Sequence, residues 1–168
     1  MLQIRLANNT LICEENMIEK NKLREVLQAI PWFGELKPEH FEKMVAISSV
    51  HDLPEDSELF REGDRQDRLY IVVEGRVALE IFIPHKGRLR ISTAEKMDLI
   101  GWSAVTPGVR TRTASAQTVI PSRLIGIDSR ALREQCDEDV EFGYTIMKRI
   151  ANIVAGRLMV TRLQLLDM

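Results

Sequence analysis

The stretch between residues 51 and 127 most constrains what this chain can fold into. Over it the apolar pattern has period two, broken at short intervals by turn residues. The segments that read as strands are His51–Pro54, Glu58–Arg61, Leu69–Val73, Arg76–Ile83, Arg88–Thr93, Ala114–Val119 and Arg123–Ile127. Glu62-Gly63-Asp64, Glu74-Gly75 and Lys86-Gly87 punctuate them as turns. Along the longest segment Val77, Leu79, Ile81 and Ile83 share one face, as a half-buried strand requires. Strands this short and this closely spaced predict a sandwich or a small barrel.

Helical spacing flanks the strand region on both sides. Asn16 to Ile30 carries Leu23, Val26, Leu27 and Ile30 on one face, and Pro31 stops it. Lys37-Pro38 opens a second short helix with Phe41, Met44 and Val45 as its apolar face. Before these, Leu2, Ile4 and Leu6 alternate up to an Asn8-Asn9 turn, which fits either a short hairpin or a partly ordered arm. Beyond the strands, Ser129 is placed to cap a helix running to about Glu138. A long helix over Val140–Asp167 follows, with two apolar stripes. One is Ile146, Ile150, Ile153, Val160 and Leu163; the other is Met147, Ala151, Val154, Leu158 and Leu165. One stripe serves the parent fold. The first is assigned to a dimer interface, because little chain is left to cover a second face. The expected organisation is an arm and helix over 1–28, a β-barrel with helices over 29–139, and the long helix over 140–168.

Composition narrows the function classes. The net charge of −2 exerts no general pull on nucleic acid or anionic membrane. Cys13 and Cys136 have no metal or redox spacing and fit a reducing, cytoplasmic setting. There is no apolar run of membrane-spanning length and no signal-peptide core, and Asn8-Asn9-Thr10 reads as a turn rather than a glycosylation acceptor. His40, His51 and His85 fall in a helix, at a strand start and in a turn, without a His-x-His pair. That argues against a cupin-type metal site, and no nucleophile–base constellation, P-loop or EF-hand is legible either. Metal and catalytic residues are therefore expected to be absent. Between two strand segments, Ile100 to Thr118 combines small residues, a Pro-Gly turn, and arginines flanked by threonines, a pattern suited to holding an anion against the backbone.

Taken together, Leu36–Met44, the Phe60-Arg61-Glu62-Gly63-Asp64 turn and Leu69-Tyr70-Ile71-Val72-Val73-Glu74-Gly75-Arg76-Val77 resemble the cyclic nucleotide-binding domain family. Within it, the chain is most similar to the effector domains of catabolite activator protein-like bacterial regulators, over about Ala29 to Leu166. The resemblance implies a mainly β, double-stranded β-helix (jelly-roll) barrel with short N-terminal helices and a long C-terminal dimerisation helix. It also implies a regulatory role, a cyclic nucleotide such as cAMP as ligand, and no enzymatic activity or cofactor.

In the family's phosphate cassette an arginine before a hydroxyl residue and Ala holds the cyclic phosphate, and a Glu after Gly accepts from the ribose 2′-OH. Arg112-Thr113-Ala114 matches the first element, and Gly101 the start of the second; Arg110-Thr111 competes for the anion without the Ala in frame. Trp102 stands where the Glu is expected, with Ser103 after it. An indole N–H only donates, so the ribose hydroxyl loses an acceptor, a loss of about 1–3 kcal/mol. Trp102 either stacks on a flat ligand, fills the site, or belongs to the core. Ser92, Arg157 and Thr161 match further pocket positions of the family. Since no helix-turn-helix follows before Met168, direct DNA binding is not expected. The resemblance thus implies a homodimeric, stand-alone sensor. The alternative is a ligand-independent dimerising or protein-docking module, its old pocket blocked by Trp102 and its protein partner unidentified.

Overall fold

The structure, a computed structural model, describes residues 20–65, 67–106, 108–109 and 111–166. The arm or hairpin, Cys13 and Arg110 lie outside the described residues. Helix α1 is described over residues 20–28 and ends in a turn ahead of Pro31, which opens a 3-10 turn, Pro31–Phe33. Pro38 occupies the first turn of α2 (Pro38–Ala46), where its missing N–H has no helical partner to lose.

Eight strands follow: β1 (Ser48–Leu53), β2 (Glu58–Phe60), β3 (Arg68–Glu74), β4 (Val77–Ile83), β5 (Gly87–Ala94), β6 (Leu99–Ile100), β7 (Ser115–Thr118) and β8 (Ser122–Asp128). They form two antiparallel four-stranded sheets, ordered β1-β8-β3-β6 and β2-β7-β4-β5. These face one another as an open two-sheet jelly roll rather than a closed barrel. β6 went unread in the sequence because two residues cannot display a period.

Alternation along the strands separates two cores. Leu69, Ile71, Ile125 and Ile127 point from the first sheet toward the helices and pack with Leu27, Phe33, Met44, Leu132 and Phe142. Val72 and Leu124, one step along the same strands, face the other sheet and pack with Phe60, Leu79, Ile100 and Ala116. A one-residue change of register would exchange the two sets.

Helix α3 (Ser129–Glu138) is capped by Asp128, whose carboxylate accepts from the Ala131 N–H at 2.8 Å, and Ser129 is its first helical residue. The expected Ser129 cap is thus displaced by one position. Asp128 still has extended backbone, and a carboxylate there answers the positive end of the helix. Helix α4 (Val140–Leu166) starts at Asp139, which accepts from Phe142 N–H, receives Lys43 Nζ at 2.6 Å and stands 3.2 Å from His40 Nε2. These contacts tie the start of α4 to α2.

The two stripes of α4 do not divide as expected. Ile146 and Ile150 are 3% and 4% exposed and belong to the helix-side core, with Ile153 half-buried beside them. As core residues they cannot also line a dimer interface, which corrects that assignment for this pair. Val160 and Leu163, from the same stripe, are exposed, with Leu158 and Met159 next to them. The first half of α4 therefore packs on its own chain, and the second half presents apolar side chains outward.

Candidate anion-binding site

The Arg112 side chain is the centre of the site. The residue is 2% exposed. Its backbone is clipped to the turn after β2: Arg112 N–H donates to Asp64 O at 3.0 Å, and Gly63 N–H donates to Arg112 O at 2.9 Å. These bonds set the direction of the side chain, which runs into the space between the sheets. There Cζ lies 4.1 Å from the Phe60 ring centroid. Phe60 in turn stacks on Tyr70 at 6.2 Å, and Tyr70 meets His51 edge to face at 6.2 Å. A cation seated on an aromatic column is favourable when desolvated.

Nη1 of Arg112 donates to Gly101 O at 3.2 Å and Nη2 to Arg68 O at 2.6 Å, with Asp67 Oδ1 at 3.5 Å. Gly101 has φ of +75°, and a Cβ there would lie 2.5 Å from Nη1. Glycine is thus required both by the left-handed turn and by the guanidinium beside it. Burial pushes Arg112 below its usual range, while the nearby Asp67 carboxylate and Tyr70 phenol push it back up. The Nε atom is buried and has no hydrogen-bond partner among the described residues. An unpaired buried donor on a charged group costs about 1–3 kcal/mol or more. An anionic oxygen reaching Nε would recover that cost with a charge-assisted bond.

The other predicted residues scatter around this centre. Ser103 is buried in the 3-10 turn Trp102–Val105, and its carbonyl accepts from Thr106. Trp102 is half-buried against the helix-side core, whereas Arg112 lies against Phe60 of the inter-sheet core. Arg157 donates from Nη2 to Leu99 O, two residues before Gly101, and so ties α4 to the strand that leads into the cassette. Arg133 likewise donates to Ala104 O, joining α3 to the 3-10 turn. Ala114 is half-buried; Thr113, Ser92 and Thr161 are exposed. Sequence reading missed Phe60, Asp67, Arg68 and Tyr70 as partners of Arg112. Phe60 and Tyr70 were inside the quoted motifs, but a backbone carbonyl such as that of Arg68 leaves no trace in residue type.

The model of the cyclic nucleotide-binding domain matches residues 50–139, more than half of the 168-residue chain. The chain belongs to that family. It is 28% identical over 145 residues to a CRP-like cAMP-activated global transcriptional regulator of Mycobacterium tuberculosis, an alignment covering 86% of this chain. The chain spans 62% of that regulator's length. Among solved structures, a cyclic nucleotide-binding domain from Methylobacillus flagellatus superposes with a TM-score of 0.73 at 22% identity, covering 88% of this chain and 83% of its own. The N-terminal domain of a transcriptional regulator from Streptomyces coelicolor gives a TM-score of 0.60 at 28% identity, covering 81% and 94%. The fold and the family agree with the sequence reading. Among the described residues no helix is long and apolar enough to cross a membrane, and no cluster of His, Cys, Asp and Glu has the geometry to hold a metal.

Proposed function

We propose that this domain is a regulatory sensor that binds a cyclic nucleotide or related anionic ligand at Arg112 and acts by binding rather than by catalysis. The observation that carries the reading is the buried Arg112 Nε without a partner. In this reading the phosphate takes Nε and draws the guanidinium off Gly101 O or Arg68 O, with Thr113, Ala114, Ser103 and the rest of the cassette closing on it. Ser92, Arg157 and Thr161 complete the ligand shell, and Trp102 replaces the ribose acceptor with a flat apolar surface. Because Arg157 already holds Leu99 O, movement of the cassette is passed to α4. The outer half of α4, with Val160 and Leu163, then forms or alters a homodimer contact. The M. tuberculosis relative, described as cAMP-activated, supports this ligand class.

The test is a thermal melt with cAMP, cGMP and cyclic di-GMP at up to millimolar concentration. A ligand bound at one hundred times its Kd stabilises by about 2.7 kcal/mol, which is readily seen as a raised Tm. Arg112→Ala should abolish the shift. No shift with any of the three overturns the reading.

A second reading is favoured by a different observation: Leu158 and Leu163 are 60% and 57% exposed on one apolar helix half. Here the domain is a ligand-independent dimerising or docking module. It predicts a dimer in ultracentrifugation without added ligand, converted to folded monomer by Leu163→Glu. A monomer at all concentrations would rule it out.

A further inference from the structure

At the end of the sandwich where β1, β3 and β8 approach α3 lies a cavity of about 320 Å³, separate from the cassette. Ser49, Arg68 and Asp128 supply its polar lining, and Ile47 and Ala131 part of its apolar wall. Arg68 and Asp128 stand opposite each other in the β3–β8 register. Yet among the described residues they form no ion pair within 4.0 Å, and no other carboxylate pairs with Arg68.

Each charge is instead held by a neutral group. Arg68 Nη1 donates to Ser49 Oγ at 3.2 Å and lies 3.0 Å from His51 Nε2. Burial and the neighbouring Arg68 cation both push the His51 imidazole below its usual range, so at neutral pH it accepts this bond and adds no charge. Asp128 Oδ1 receives the Ala131 N–H at the start of α3. Gly126 makes the arrangement possible, since a Cβ there would lie 2.7 Å from His51 Nε2 and 3.4 Å from Arg68 Nη1. The strand thus yields its side chain so that imidazole and guanidinium can cross it. The Arg112 site uses only the carbonyl of Arg68, leaving this side chain to the second cavity.

We infer that this cavity is a binding site for a small amino-carboxylate, a zwitterion of amino-acid size. The carboxylate would sit on Arg68 and Ser49, the ammonium on Asp128, and a short side chain against Ile47 and Ala131. A simple anion would meet the Asp128 carboxylate, and a simple amine would meet the Arg68 guanidinium. A ligand carrying both charges satisfies both walls, with the solvent-exposed Asp128 at the rim. The inference does not rest on the cyclic-nucleotide reading.

The experiment is an amide-resolved NMR titration of the ¹⁵N-labelled full chain with each of the common amino acids, with acetate, ethylammonium and inorganic phosphate as single-charge probes. Expected are saturable shifts at Ser49, Arg68, Gly126 and Asp128 with at least one amino acid, at a Kd at least about ten-fold below those of the single-charge probes. Arg68→Gln and Asp128→Asn should each weaken that binding by about ten-fold or more. Titration of the unsubstituted chain decides the matter even where a variant misfolds. No saturable shift with any amino acid at tens of millimolar overturns the proposal. So does acetate or phosphate binding as tightly as the amino acids, which would make the cavity a plain anion site.

Discussion

The two cores of this domain are built from the same strands and differ in what they enclose. The helix-side core contains Leu27, Phe33, Ile71, Ile125, Leu132 and Phe142, with side chains that need nothing but contact. The inter-sheet core is similarly aliphatic at its centre, but toward one end it encloses a guanidinium, a phenol and an imidazole, in Arg112, Tyr70 and His51. Both exclude water. Among the described residues, only the second contains an unsatisfied charged donor, and a fold tolerates that where binding can later satisfy it. Burial alone does not separate structure from function, and Gln135 Oε1, also buried without a partner among the described residues, shows that the charge on Arg112 matters as much as its unpaired atom.

That contrast can be broken by mutation. Phe142→Ala removes a wholly buried ring from the helix-side core, and the unfolding free energy in urea should fall by about 3–5 kcal/mol. Arg112→Met keeps the volume between the sheets but removes the buried charge and the unpaired Nε. The same measurement should show a loss of only about 1–2 kcal/mol, from its bonds to Gly101 O and Arg68 O. If Arg112→Met costs as much as Phe142→Ala, the two cores are alike and Arg112 is structural.

A smaller effect should appear at the margin of the helix-side layer. Lys43, followed by the Phe142 N–H, holds the Asp139 carboxyl well below the usual carboxylate range. A folded-state pKa below the unfolded one gives stability that is complete above the ordinary carboxylate range and lost as pH falls through and below it. Unfolding midpoints should therefore drop in acid, and Asp139→Asn should flatten that slope by lowering the midpoint near neutrality while leaving the acid end little changed. An unaltered acid slope would show that the α2–α4 tie contributes nothing.

Much of this protein was legible as pattern. Period-two alternation places strands such as Leu69–Val73 and Arg123–Ile127 inside the observed β3 and β8, and Pro31 and Pro38 punctuate the N-terminal helices as their missing N–H requires. Gly101 and Arg112 stood out as candidates, because glycine suited to a left-handed turn and arginine before a small hydroxyl residue are matters of residue type. Where Arg112 points was not. Its direction depends on backbone bonds to Gly63 and Asp64, nearly fifty residues away in the chain. The apolar stripe of α4 likewise reads the same from end to end. Only packing decides that Ile146 and Ile150 enter the core while Val160 and Leu163 face out.

By itself, then, the sequence determined which segments are strands or helices and which residue types could hold an anion. These follow from local periodicity and backbone chemistry. The tertiary structure alone decided that Arg112 is enclosed with one donor unpaired, that Trp102 leans on the helical layer, and that Arg68 and Asp128 share a cavity without pairing. Those facts arise between residues far apart in the chain, where register and close packing, rather than composition, set which groups meet.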